Sequence, residues 1–455
     1  MKLQSERLGV DPIGKLLADL TIPATVGMLA MALHSVIDAI YIGRGVGAIG
    51  VAAVAITFPL SMLVMAISGA IGIGGASVIS RALGSDQLDK ANLAFGTVLM
   101  MILIVGVTGV LLGLTFLTQL LKLFAASETI MPLSSDYLGI ILYGTIFFSF
   151  SFAVNNIVRA EGNAKVAMAT MVISSILNII FTPIFMFALN LGMSGAAYGT
   201  ITAQGLTSFY LLYYFYAGKS SLSIILKNIT LNINLVKEIL SVGASAFVRQ
   251  GAGSIMLIIA NHMLVFYGGD MAIAVLGIIH RVMMFTLMPI MGIVQGMLPL
   301  VGFNYGARKK LRVKESITLS MKVATFIATA GFLLVMLFPS LLIQIFTDDP
   351  VLIEMGKTAL RIMFAMAFTV GLQLVVGGVF QALGKAREAF FLSMARQILF
   401  LIPLLFLLPP IIGLNGVWLA FPLADFFSFA LTVWLIFRFK DYFFLNNEKI
   451  MAVSK

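Results

Sequence analysis

Uncharged stretches long enough to cross a bilayer follow one another along almost the whole chain. Residues 20–37, 45–80, 91–121, 137–158, 250–269, 282–307, 323–347, 362–384 and 397–424 contain no Asp, Glu, Lys or Arg. A helix of roughly 20 apolar residues spans a hydrocarbon core about 30 Å thick, so each of these runs predicts a span. The run from 166 to 218 is too long for one helix, and Asn190-Leu-Gly-Met-Ser-Gly195 divides it in two. Pro409-Pro410 and Gly413 similarly separate a helix near 389–408 from a last one near 413–437, since proline stops the first of them. The pattern predicts an all-α integral membrane protein of twelve transmembrane helices.

Composition agrees with this reading. Hydrophobic residues make up 60% of the chain and charged residues 11%, with a mean hydropathy of +1.06, whereas soluble chains run about 45–50% apolar and roughly 25% charged. The net charge of +10 does not point to nucleic acid, because most of the surface must face lipid. With no cysteine and three histidines, disulfides, thiolate zinc sites and iron–sulfur clusters are excluded, and no cofactor is expected. The first apolar run is preceded by Asp11 and Asp19 and lacks a clean small-residue cleavage site, so it reads as a retained span rather than a signal peptide.

Charge also orients the helices. With twelve spans starting inside the cell, 21 of the 29 basic residues fall in cytoplasmic segments and three, Arg44, Lys122 and Lys357, outside. That asymmetry predicts a multi-pass protein of the cytoplasmic membrane with both termini in the cytoplasm.

Self-comparison shows an internal repeat. Ala160-Glu-Gly162-Asn-Ala164-Lys165 is echoed at a shift of 222 residues by Ala382-Leu-Gly384-Lys-Ala386-Arg387, and Gly74 and Gly84 meet Gly296 and Gly306 at the same shift. An even number of helices per copy gives both copies one orientation, hence two six-helix lobes about a pseudo-twofold axis along the membrane normal. The expected boundaries are 1–217 for the first lobe, 218–238 for a cytoplasmic linker and 239–455 for the second lobe with its tail. Parallel repeats around a central cleft are typical of secondary transporters.

Apparent catalytic motifs lack their contexts. Gly45-Val-Gly47-Ala-Ile-Gly50 fits a dinucleotide fingerprint but follows no strand. Gly218-Lys219-Ser220 resembles the end of a phosphate loop whose first glycine would have to stand at Tyr213. No paired-histidine zinc motif, nucleophile elbow or carboxylate cluster is present, so an enzyme is not expected.

Charges at membrane depth are costly, at least about 2.5 kcal/mol each, and call for an explanation. Of the acids, Asp38 and Asp425 fall within predicted spans. Asp38 lies in the outer part of the first, one turn from His34 and on the same face. The fifth span carries Asn178 and Thr182 on one face, and the sixth carries Thr200, Thr202 and Gln204. If these faces meet the first helix, one carboxylate and several neutral oxygens converge, a set able to hold a proton on Asp38 or to complete a shell for Na+. His34, Thr202 and Gln204 are candidates for a relay or the cleft. In the second half Arg249, Gln250, His280, Arg281, Arg396 and Asp425 form a candidate polar group. It reads either as buried pairs such as Asp425 with an arginine, or as groups for gating and substrate contact. Twenty-seven methionines, many in the seventh to tenth spans, serve as core filler or as an adaptable lining.

These residues carry a resemblance over essentially the full length. Ile37-Asp38-Ala-Ile-Tyr-Ile-Gly43, Arg81-Ala-Leu-Gly84, Arg159-Ala-Glu-Gly162-Asn-Ala-Lys165, Leu177-Asn178-Ile-Ile-Phe-Thr182-Pro183 and Gln295-Gly296-Met-Leu-Pro299-Leu-Val-Gly302-Phe-Asn304-Tyr-Gly306-Ala resemble prokaryotic multidrug and toxic compound extrusion (MATE) transporters. The resemblance implies two lobes in a V, alternating access, and export of amphipathic, often cationic compounds against inward H+ or Na+. It places the family's coupling carboxylate on Asp38, its asparagine on Asn178 and its threonine on Thr200. Many prokaryotic members have aspartate where this chain has Thr182, which leaves Asp38 as the main titratable group and leans towards protons. The expected partners are an amphipathic small molecule and the lipid bilayer, with no nucleic acid, and the expected state is a monomer. A lipid-linked saccharide or lipid flippase of the same superfamily is the alternative.

Overall fold

Glycine and proline decide where the long apolar runs turn. The computed structural model describes residues 4–124, 128–217, 220–346 and 349–443. Lys2, Lys219, Lys449 and Lys455 of the basic count, and the first two residues of the expected linker, lie outside them. The first half holds α1 (Ile13–Gly45), α2 (Ala48–Gly84), α3 (Leu88–Thr115), α4 (Met131–Ala160), α5 (Ala164–Ala188) and α6 (Gly192–Tyr216). The second holds α7 (Ile233–Gly269), α8 (Met271–Gly306), α9 (Lys310–Leu337), α10 (Pro350–Met363 continued by Ala367–Ala382), α11 (Ala386–Ile412) and α12 (Leu414–Arg438). Helices α7 and α8 are parted only at Gly269, whose φ of 66° favours a residue without Cβ.

Two details differ from the sequence pattern. Among the described residues, ten helices are long and apolar enough to cross a membrane, and α10, bent by 44° between its two pieces, makes an eleventh. Helix α6 is as long as a span and uncharged, but its Gly, Ser, Thr, Gln and Tyr residues make it less apolar, so the expected twelve is eleven by this measure. It packs between α4 and α5, where polar positions find protein rather than lipid. Pro409-Pro410 does not end α11. The prolines open a last helical turn, Pro409–Ile412, where their missing N–H is tolerated, and the break falls at Gly413 with φ 62°.

The apolar core joins the two halves at one end only. A cluster containing Leu17, Val78 and Ile79 of the first half and Met297, Val301 and Val379 of the second is continuous across them. Towards the other end the clusters separate. Ala260, Ile279, Phe364, Leu405 and Trp418 belong to the second half, and Ile42, Tyr137, Met186 and Met193 to the first. The halves therefore meet at the end of the N-terminal segment and part at the opposite end.

The joined end is backbone against backbone. A Cβ on Gly84 would lie 1.9 Å from the Phe303 carbonyl oxygen, and one on Gly306 would lie 2.0 Å from that of Arg81. This contact is reciprocal between positions related by the 222-residue shift, as a pseudo-twofold axis requires. Gly243 against the Ala70 carbonyl, at 2.2 Å, and Gly74 against that of Ile239, at 2.1 Å, extend it. Polar clamps add to it. Arg81 donates to Glu238 at 2.8 Å, Gln381 to Ser245 at 3.1 Å, Asn304 to the Leu8 carbonyl at 2.9 Å, and Arg312 to the Asp11 carbonyl at 2.7 Å. Gly84→Val is expected to force the joined ends apart, at a cost of roughly 1–3 kcal/mol for overpacking. A cysteine placed at Ser80 should then alkylate faster than in the parent, and an unchanged rate would contradict the packing.

The segment between the halves is held by a buried acid that the hydropathy pattern did not single out. Glu161, fully buried just beyond α4, accepts from the Tyr214 hydroxyl and the Ser220 hydroxyl, both at 2.6 Å, and from the Ser221 N–H at 2.8 Å. Burial outweighs these bonds and pushes its carboxyl up to about 7. The folded protein thus prefers the protonated acid, and the stability this confers is lost as pH rises from the ordinary carboxylate range to about 7. Relative to Glu161→Gln, the parent's melting temperature in detergent should fall by a few degrees between pH 5 and 8. Parallel profiles would rule this out.

Candidate functional site

Close helix approach builds a polar layer inside the first half. Gly199 of α6 lies against Thr182 of α5, where a Cβ would come within 2.7 Å of its Cα and Oγ1, and Gly195 lies against the Phe185 backbone. Gly27 of α1 lies against Met171 of α5. On α5 the spacing of Ser175, Asn178 and Thr182 puts them on one helical face, and all three are buried.

The Asn178 amide donates to the Thr200 hydroxyl at 3.1 Å, Thr200 donates to the Ala196 carbonyl at 3.1 Å, and Thr182 donates to the Asn178 side-chain oxygen at 3.5 Å. Asp38 on α1 faces Thr182 and Tyr137, and its Oδ1 is buried without a hydrogen-bond partner among the described residues. One turn away, His34 Nδ1 lies 3.3 Å from the Ser175 hydroxyl. An orphaned carboxylate oxygen beside a threonine–asparagine–threonine chain is a place where one proton or one monovalent cation would satisfy an unmet acceptor. No cluster of three or more His, Cys, Asp or Glu side chains that could hold a metal ion occurs among the described residues.

This layer borders a cavity of about 320 Å³. Met31, Met62, Met65, Met171, Phe58, Phe148 and Phe152 make its apolar wall, and His34, Asn155, Asn178, Thr200, Gln204 and Thr207 its polar positions. An apolar cavity with few polar groups suits a small amphipathic molecule, and methionine and phenylalanine adapt to varied shapes. Its methionines come from α1, α2 and α5, not from the methionine-rich seventh to tenth spans.

Of the sequence candidates, His34, Asn178, Thr200 and Gln204 line the cavity, and Asp38 and Thr182 lie in the polar layer beside Asn178. Thr202 does not line the cavity; two residues beyond Thr200, it sits on the other side of α6. Asn155 and Arg159 were not anticipated. Arg159, counted among the cytoplasmic basic residues, is 7% exposed, donates to the Asn155 side-chain oxygen and borders the cavity. Its i, i+4 spacing from Asn155 was the signal available.

The second-half polar residues do not form one cluster. Arg396 pairs with the buried Asp425, and Gln373 donates to the Asp425 carbonyl at 3.2 Å, which is the buried-pair reading. Arg396 lies in a π-helical turn, Ala395–Leu401, a local widening that lets its side chain reach α12. Gln250 instead crosses to Met62 of the other half, at 3.8 Å. His280 and Arg281 are exposed, Arg281 lying 5.8 Å from the Phe346 ring centroid, and Arg249 makes no ion pair among the described residues.

Two helical halves joined at one end and parted at the other, with an amphipathic cavity beside a buried acid, define the class of two-lobed membrane transporters. A model of the MatE family matches residues 23–184 and, over an equal length, residues 246–407; the chain belongs to the MATE family. The structure is similar to that of the MATE multidrug transporter DinF-BH, solved in complex with a ligand. The two are 47% identical with a TM-score of 0.91, over 98% of this chain and 100% of the other. It is also similar to a MATE protein in the bent conformation, at 26% identity and TM-score 0.91, over 97% and 98% of the chains. Among sequence relatives, the multidrug export protein MepA of Staphylococcus haemolyticus is 26% identical over 442 residues, 97% of each chain. MepA of Staphylococcus aureus (strain COL) is 25% identical over 441 residues, again 97% of each.

The Asn178–Thr200 bond ties α5 to α6 and should be worth about 1 kcal/mol. Alanine at either position is expected to lower the denaturation midpoint, and the double variant to cost less than both together. Strictly additive losses would mean that the bond is not formed.

Proposed function

We propose that this protein exports amphipathic, often cationic compounds by alternating access, driven by inward movement of H+ or Na+ through Asp38. The observation that carries the reading is the buried, unpartnered Asp38 Oδ1 beside Thr182, in a polar layer whose Asn178 and Thr200 line a cavity of drug size. The relatives named multidrug export proteins support it. On this reading the joined end faces the cytoplasm, in keeping with the inward bias of basic residues.

Loading Asp38 removes its negative charge or satisfies its orphaned oxygen, which changes how α1 packs on α5 and α6. Pro23 within α1 supplies a place to bend. A single acid beside neutral oxygens favours protons, since Thr182 brings no second charge. One proton moving down 100 mV yields about 2.3 kcal/mol, and each pH unit adds about 1.36 kcal/mol. Together, 100 mV and one pH unit sustain roughly a five-hundredfold gradient of a neutral substrate.

The test uses purified protein in sealed vesicles, with an amphipathic cationic dye and with pH and sodium gradients imposed separately. Dye movement should follow one of the gradients and fall to background in Asp38→Asn, which keeps the side chain's shape. Uphill transport retained by that variant would refute the role of Asp38. Movement under neither gradient would turn attention to lipid-linked substrates.

A further inference from the structure

We propose that the cleft between the two halves at their joined end binds a phosphate-bearing anion, the headgroup of an anionic phospholipid, and that its occupation holds that end shut. The cleft has a volume of about 640 Å³ and is walled by the end of α2 with Lys90 of α3, by the end of α8 with the start of α9, and by Asp441 and Tyr442. It therefore exists only while the two halves are together.

Its charge is one-sided. Arg81, Lys90, Arg308, Lys310 and Lys314 line it, against the single acid Asp441. Glu238, outside the lining, pairs with Arg81 at 2.8 Å and lies 3.7 Å from Lys90. The neighbouring basic residues have other work. Lys309 donates to the Gly9 carbonyl at 2.9 Å, and Arg312 to the carbonyls of Leu8 and Asp11, so both clamp the N-terminal segment. Arg308, Lys310 and Lys314 make no such bonds and no ion pair among the described residues, and they face the cleft. Arg308 also holds a backbone φ of 56°, a conformation that side-chain-bearing residues seldom adopt. Three unpaired cations with the Tyr305 and Tyr442 rings beside them form a receptor for a phosphate group.

Two features favour a lipid as the source of that phosphate. Basic pockets between helices at a membrane surface suit anionic headgroups. Leu88 and Leu311, in the first turns of α3 and α9 and next to cleft residues in sequence, are 45% and 54% exposed, which places apolar side chains beside the charges, as the headgroup–acyl boundary demands. Because Arg81 and Lys90 come from the first half and Arg308, Lys310 and Lys314 from the second, separation at this end pulls the first pair of cations away from the other three. A ligand that binds only the joined state shifts the population towards it.

The chain has no cysteine, so spin labels can be placed on Asp89→Cys and Glu315→Cys, one in each half at this end. Distances are then measured in nanodiscs of phosphatidylcholine, alone or with phosphatidylglycerol. Phosphatidylglycerol should raise the short-distance population severalfold, and the triple variant Arg308→Gln/Lys310→Gln/Lys314→Gln should abolish the rise. An unchanged melting temperature confirms that the variant is folded. Inorganic pyrophosphate added to phosphatidylcholine discs is the second arm. If it reproduces the shift, the phosphate site stands with a soluble source; if it does not, the lipid is the ligand. No response to either anion, or an undiminished response in the triple variant, would overturn the proposal. Since no transported compound is involved, these outcomes are independent of the export reading.

Discussion

The two halves of this protein touch through glycine. At Gly84 and Gly306 each half sets its backbone against a carbonyl of the other, at distances no side chain would allow. Everything else about the molecule depends on that closeness. It brings the apolar clusters of the halves into one core, sets Arg81 against Glu238, and lets the N-terminal segment lie across α8 within reach of Asn304 and Arg312. Backbone contact through glycine is also contact that can be broken as a unit, which the alternating access proposed above would need.

Polar groups are distributed by the same logic. In lipid every polar group must find its partner within the protein, and most do. Asp425 has Arg396, Glu161 has two hydroxyls and an N–H, and Asn178 has two threonines. The exceptions stand out against that background. Asp38 keeps a buried oxygen without a donor, beside a polar layer whose Asn178 and Thr200 line a cavity. The halves are chemically unequal for this reason. The first holds an acid with one unmet oxygen beside neutral oxygens, the second an acid already paired with an arginine.

How much of this was legible beforehand follows from what each signal measures. Asp38, Asn178 and Thr200 stood out because a charge or an amide at membrane depth is expensive, and helical periodicity placed their faces. Thr202 falls outside the cavity lining because proximity in sequence says little about which side of α6 meets α5; the position of Gly199 decides that. Hydropathy puts Arg159 and Glu161 in a loop, since it sees only where a run ends. In the fold, α4 and the interlobe segment bury both. The dispersal of Gln250, His280 and Arg281 likewise depends on helix rotation, which no linear pattern contains.

Hydropathy and charge alone determined that the chain spans a membrane many times, and the match of the loop at 160–165 with that at 382–387 pointed to two related halves. These are properties of local runs and of self-similarity, so a linear reading suffices. The tertiary structure decided which end is joined, which polar residues share a cavity, which acid is paired and which is left bare. Each of those depends on interatomic distances between helices far apart in the chain, set by where a missing Cβ lets two backbones approach.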